Sequence, residues 1–200
     1  MDIEKLQRSM KSRGWDFRYF ETGAQAAEYL TGELAGQTVG IGGCGTADAL
    51  GLYEKLREVC PDVAWHWKEE DMDGARARAM TTDAYLCSAN AIAETGEIVN
   101  IDGMGNRLAG TMFGHKRVYI VAGVNKVCPD LDAAVYRARN VAAPLRARSM
   151  GKKTPCATGE LKCWDCRSPE RVCRGLTVLM YKMMGMEKCE LVLINEELGM

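Results

Sequence analysis

Short apolar runs, several of them rich in β-branched residues, alternate along the chain with amphipathic segments of helical period, and polar glycine-rich loops follow the runs. These observations predict an α/β fold with three layers: a mainly parallel sheet covered by helices on both faces. In such sheets ligands gather at the carboxyl ends of the strands, so the glycine-rich loops are where chemistry is expected. The 200 residues suit one domain with a sizeable core, and no repeat, low-complexity linker or compositional break divides them.

Each element has its own signal. Ile3, Leu6 and Met10 recur at helical spacing and the run stops at Gly14, which predicts a first helix. Asp16–Phe20 alternates as a strand does. Ala27, Leu30 and Leu34 mark a helix over residues 24–34, and Thr38–Ile41 is a short buried strand. Thr46, a good N-cap, opens the next helix, with Ala49, Leu52, Leu56 and Val59 as its apolar stripe. Val63–Trp67 reads as strand and Met72–Met80 as helix. Ala84–Ser88 and Glu97–Ile101 read as strands separated by a polar turn at Glu94–Gly96, followed by a loop over residues 102–106. Arg117–Ala122 is a β-branched strand. Asp130–Val141 is a helix that Pro144 ends, and a second short helix covers residues 145–150. A cysteine-rich loop occupies residues 154–174, and Leu176–Tyr181 and Glu190–Asn195 close the chain as strands.

Charge and hydropathy exclude several classes of function. A net charge of −1 argues against a general nucleic-acid binder. No apolar run approaches the roughly 18 residues of a membrane span, and the charged, amphipathic start lacks a signal-peptide core. A cytoplasmic protein is expected. Nine cysteines, an odd number, make a poor disulfide framework. Cys87 and Cys189 lie in strand-like runs, where a free thiol acts as a small buried hydrophobe. His66 reads as structural, His115 as a loop residue, and the Met183–Met184–Met186 group as core filling.

Four constellations remain. Gly42, Gly43, Gly45 and Thr46 form a strand-to-helix turn whose amides could approach an anion, though without the lysine of a Walker loop. Cys44 in that turn would be a thiol at a helix N-terminus; a tight turn that needs glycine for packing is the alternative. The run from Ser88 to Arg107 concentrates amides, carboxylates and glycines. Asn90, Asp102, Gly103, Gly105, Asn106 and Arg107 are read as a ligand-binding rim, and Glu94 as the candidate catalytic carboxylate. Asn125 and Lys126 leave a strand end, where they can offer a donor and a cation to an anionic metabolite. The most specific pattern is Cys156-x6-Cys163-x2-Cys166-x6-Cys173, a four-sulfur set for Zn²⁺ or an iron–sulfur cluster. Residues 133–159 contain no acid but carry Arg137, Arg139, Arg146, Arg148, Lys152 and Lys153, a patch that could offset such a centre or dock an acidic partner.

The stretch from Ser88 to Val127, with its Asn100–Ile101–Asp102–Gly103–x–Gly105–Asn106–Arg107 and Gly123–x–Asn125–Lys126 motifs, followed by the cysteine loop, closely resembles the LUD-domain family. These are lactate-utilisation proteins of the LutC/YkgG type, and the resemblance runs from Gly40 onward to Gly199. It implies a fold similar to the ribose-phosphate isomerase/CoA-transferase superfamily. It also implies a role in oxidising L-lactate, or a similar 2-hydroxy acid, to pyruvate together with iron–sulfur partner proteins, with a four-iron cluster as the expected cofactor and zinc as its alternative. The superfamily also allows an isomerase- or transferase-like enzyme acting on a phosphorylated or CoA-linked small molecule, with structural zinc in the loop. Glu94–Thr95–Gly96 is similar to the glutamate turn of the transferases. Cys44–Gly45 stands where many relatives carry a hydroxyl residue. Oligomeric state is left open, a homo-oligomer included.

Overall fold

Local chemistry decides where the first helices begin. In the computed structural model, which describes residues 1–200, Asp2 caps α1 (Ile3–Ser12) by accepting the Lys5 amide at 2.9 Å, and Leu6 and Met10 turn inward. β1 (Asp16–Phe20) follows, then α2 (Gly23–Leu34), opened by a reciprocal Thr22–Gln25 capping box. β2 (Val39–Ile41) leads through the glycine-rich turn into α3 (Gly45–Ala49) and α4 (Leu52–Val59). The single helix expected here is two, because Gly51 at φ 61° is left-handed and breaks it. Its cap is also not Thr46: the Cys44 sulfur accepts the Ala47 amide at 3.2 Å. β3 is only Val63–Ala64, because the chain turns at Trp65, whose amide is taken by the Glu69 carboxylate at 2.9 Å.

The middle of the chain holds α5 (Met72–Ala79), β4 (Ala84–Cys87), β5 (Ala91–Ala93) and β6 (Ile98–Asp102). Next come α6 (Asn106–Met112), β7 (Arg117–Gly123) and β8 (Val127–Cys128). Three of these were not visible in the periodicity. β5 and β8 are too short to show an alternation, and α6 starts inside the glycine-rich loop on Gly105, left-handed at φ 90°. His115 is no open loop residue; its ring is buried, with nitrogens 3.0 Å from Gly110 O and 2.9 Å from Ala79 O.

Pro144 does not end its helix. α7 (Leu131–Arg137) passes through a π-helical turn at Ala138–Ala142 into α8 (Ala143–Ser149), whose first turn contains the proline. The wider turn absorbs the ring and the missing N–H that would break a regular helix. The short α9 (Pro155–Thr158) starts the cysteine loop, and β9 (Gly175–Leu179) and β10 (Lys188–Ile194) complete the fold.

Six strands form a wholly parallel sheet in the order β1-β10-β7-β4-β2-β3. A second sheet, β8-β5-β6-β9, is mixed: β5 and β8 are parallel, and β6 is antiparallel to both β5 and β9. On one face of the large sheet, Ala26, Leu30 and Leu34 of α2 and Leu52 and Leu56 of α4 pack against Val39, Ile41 and Leu86. On the other face, Leu6 and Met10 of α1 and Ile92, Ile98 and Leu179 of the small sheet meet Tyr85, Ile120 and Leu191. The outer face of the small sheet is closed by Ala134, Ala138 and Ala143 of the α7–α8 arm. The expected three-layer arrangement is therefore present, with the second sheet and its helical arm added to one side.

Candidate functional site

Strand order brings the loops together. Neighbouring strands β4 and β7 of the large sheet both hand the chain to neighbouring strands, β5 and β8, of the small one. The two connectors, Ser88–Asn90 and Val124–Lys126, therefore run side by side. The turn after β2 lies next to them, and between β2 and β4 the winding of the large sheet reverses, the usual place for a ligand crevice.

Lys126 is the centre of this place. Its side chain is buried, the residue being 3% exposed, and Nζ lies 2.8 Å from Ser88 Oγ and 3.3 Å from Thr46 Oγ1. The two hydroxyls are 3.3 Å from one another and equally buried. No carboxylate pairs with the ammonium. Burial, reinforced by the nearby Arg107 and Arg137 guanidinium groups, pulls its pKa down to about 8, against an opposing influence of Cys44.

Arg107 holds the surrounding loops rather than reaching into the site. Its guanidinium donates to Ser88 O, Asn100 Oδ1, Asn90 Oδ1 and Ile101 O at 2.6–3.1 Å. Asp102 receives the Gly103 and Arg107 amides on its carboxylate, which starts α6. Arg137, which the sequence grouped with the cysteine patch, points instead to Asn125 O and Asn90 O at 3.0 and 2.5 Å. Over the top lie residues 198–200. The Leu198 amide donates to Asn125 Oδ1 at 3.2 Å, and a Cβ on Gly199 would come within 3.0 Å of both Lys126 Nζ and Thr46 Oγ1.

Of the residues singled out in the sequence, Thr46, Asn90, Arg107, Asn125 and Lys126 thus meet in one place, and Gly42 borders it: a Cβ there would meet Tyr85 Oη at 2.8 Å and Arg107 Cγ at 3.2 Å. Gly43 faces the Trp67 ring, and Gly45 is exposed opposite Gly199. Gly105 supplies the left-handed start of α6, and the Asn106 carbonyl accepts the Tyr85 hydroxyl at 3.3 Å. Gly103 is elsewhere: a Cβ there would meet Val172 O at 2.9 Å, in the cysteine loop. Glu94 does not join the cluster. Its carboxylate accepts the Asp2 amide at 3.0 Å and Lys5 Nζ at 3.1 Å, tying the β5–β6 turn to α1, and these partners hold its pKa down. The Cys44 thiol is buried and burial pushes its pKa up, the opposite of what a nucleophile needs. Sequence reasoning did not single out Ser88 as a site residue or Arg137 as part of this cluster; their signal is topological, a connector between two sheets and the helix that follows β8.

The cysteine loop forms a second place beside the first. Cys156, Cys163, Cys166 and Cys173 are free thiols, all half-buried, and all line one cavity with Pro144, Thr154, Arg139 and Arg171. Asp165, left-handed at φ 44°, makes the tight turn between Cys163 and Cys166. Arg171 donates to the carbonyls of Cys166 and Cys173 at 2.8 Å, and Arg139 stands 3.7 Å from the Cys163 sulfur. The donor chemistry is that of a thiolate metal centre with cations beside it, although no three ligating side chains are drawn together as a metal-ligand set. The Arg174 amide donates to Asp102 O at 2.9 Å, so the two places share a wall.

Comparison with known proteins agrees with this architecture. No curated protein matches the chain. Among solved structures it is similar to a DUF162 family protein from Deinococcus radiodurans, with a TM-score of 0.54 at 11% identity over 96% of this chain and 95% of that one. At that identity the likeness is one of fold. The LUD domain matches residues 3–194, which takes in both sheets, the strand-end cluster and the whole cysteine loop: the chain belongs to the LUD-domain family.

Proposed function

We propose that this protein serves the oxidation of L-lactate, or a similar 2-hydroxy acid, to pyruvate in the cytoplasm beside iron–sulfur partner proteins, with Cys156, Cys163, Cys166 and Cys173 holding the metal centre. The LUD-domain family is linked to lactate utilisation in general. The observation that carries the finer reading is the convergence of four free thiols on one cavity next to Arg139 and Arg171. Four thiolates around Zn²⁺ or an oxidised four-iron cluster leave a formal charge of about −2, which those guanidinium groups offset. A bound cluster would supply one-electron transfer. The chain's own part is to hold the thiolates, to wall them with Ala143, Pro144 and Ala147, and to present the half-exposed Trp164 and the basic arm to an acidic partner.

Anaerobic purification followed by metal analysis and visible spectroscopy tests this, with Cys163→Ala and Cys166→Ala as controls. The expected result is a coloured protein with about four irons, bleached by dithionite, and colourless in both variants. One tightly held zinc in a colourless protein would overturn the redox role. The loop would then be structural, and the isomerase- or transferase-like reading would take over. Its support is specific: Lys126 is a buried cation without a carboxylate at the strand ends, suited to a small anionic, phosphorylated or CoA-linked ligand.

A further inference from the structure

We propose that Ser88 and Lys126 form a nucleophile–base pair, with Ser88 Oγ the atom that takes an acyl group from a small activated ester or thioester. The proposal is independent of the cysteine centre, since it rests only on the strand-end cluster. Serine is a weak nucleophile unless a base lies within hydrogen-bond reach, and a desolvated lysine is one of the known bases. Here Nζ stands 2.8 Å from Ser88 Oγ.

The surroundings favour the base form of the amine. A lysine kept for structure normally finds a carboxylate or a set of carbonyl oxygens when buried. Lys126 has two hydroxyls as its hydrogen-bond partners; the Arg107 and Arg137 guanidinium groups act on it as like charges, against the opposing influence of the buried Cys44 and Cys87 thiols. Proximity of like charge and loss of water both make the neutral amine easier to reach. Thr46 Oγ1, 3.3 Å from both Nζ and Ser88 Oγ, closes the triangle and can steady either partner.

The step balances without any further reagent. Ser88 Oγ attacks the acyl carbon while its proton passes to neutral Lys126, and the carbonyl electron pair moves to oxygen. As that pair returns, the alkoxide or thiolate leaves and takes the proton from the Lys126 ammonium. The acyl-serine ester is then cleared by water or a second nucleophile with the same proton relay. Access needs residues 198–200 to lift. They are held by the Leu198 amide bond to Asn125, by packing of the Leu198 side chain against the core, and by two polar contacts of 3.5 Å, Thr46 to Leu198 O and Arg137 to Met200 O.

The test is acylation of the full chain by p-nitrophenyl acetate at a pH of about 8.5, read by intact mass and peptide mapping, and by p-nitrophenol release. The expected result is one acetyl group on Ser88, formed at least about tenfold more slowly in Lys126→Met and absent at that position in Ser88→Ala. The parent rate should climb with pH as one group loses its proton. An unlabelled Ser88, an acetyl group on Lys126 itself, or an unchanged rate in Lys126→Met would each overturn the assignment. Should Lys126→Met fail to fold by circular dichroism, the site of labelling and the pH profile of the parent protein decide alone. Metal content plays no part in this readout, so its outcome is separate from that of the cysteine centre.

Discussion

Arg107 is the residue on which the geometry of the strand-end cluster depends. Its planar fork satisfies four oxygens from Ser88, Asn90, Asn100 and Ile101, and a lysine in its place offers a single point of donation. Arg107→Lys should cost roughly 2–4 kcal/mol, because buried acceptors lose their donors, and urea unfolding will show the loss. Lys126 acts on stability in the other direction. Folding lowers its pKa from the ordinary 10.5 to about 8, so between those values the unfolded chain binds more protons than the folded one. Stability should therefore rise with pH across that window, and Lys126→Met should abolish the rise. Glu94 gives a slope of the same sign, but at acid pH, because there the charged form is favoured by its partners. Its pKa is depressed in the folded state, so its contribution is present above the unfolded carboxyl value and is lost as pH falls through the folded one. Glu94→Gln should cost less than about 1 kcal/mol at neutral pH and make the protein less sensitive to acid, as read from unfolding midpoints along a pH series. Its sequence context suggested chemistry, but a partner ninety-odd positions upstream, invisible to local pattern, assigns it to structure instead.

Elements repeat the lesson that long-range packing decides what local pattern leaves open. β1, β7 and β10 were legible because their alternation or β-branched content extends over five to seven residues. β5 and β8 have three and two residues and owe their existence to the sheet they complete. Pro144 was legible as a residue but not in its effect, since a π-turn leaves no sequence period of its own. That turn matters for the cysteine loop: Asn140 Oδ1 accepts the Cys163 amide at 3.1 Å. Asn140→Ala should cost about 1 kcal/mol and, under the proposed metal centre, speed loss of the metal in a chelator competition. In β2, a Cβ at Gly40 would lie 2.3 Å from Ala79 O and 2.9 Å from Ala79 Cα, both backbone atoms. Gly40→Ala must therefore push α5 away from the sheet, at roughly 2–4 kcal/mol, measurable as a lowered melting temperature.

Across the whole molecule, the parallel sheet could be read from apolar strands alternating with helices, whereas its division from a second sheet could not. β4 and β6 are both short buried strands, yet only pairing partners distant in sequence send one to the large sheet and the other to the small. The cysteine spacing pointed to one metal centre; the four thiols line one cavity without three of them being drawn together as a ligand set, and the approach of Ser88 to Lys126 required the strand order. The loop is attached at two points, α8 before it and β9 after it. Removing a bound metal should accordingly raise amide exchange over residues 159–174 while leaving β7 and β10 protected. That the two sheets are joined by adjacent connectors has a mechanical consequence. Ser88 leaves β4 and Lys126 leaves β7 on parallel links, each anchored in the large sheet at one end and the small sheet at the other. Their 2.8 Å separation is therefore set by both sheets at once, and a shift of either sheet against the other would change it.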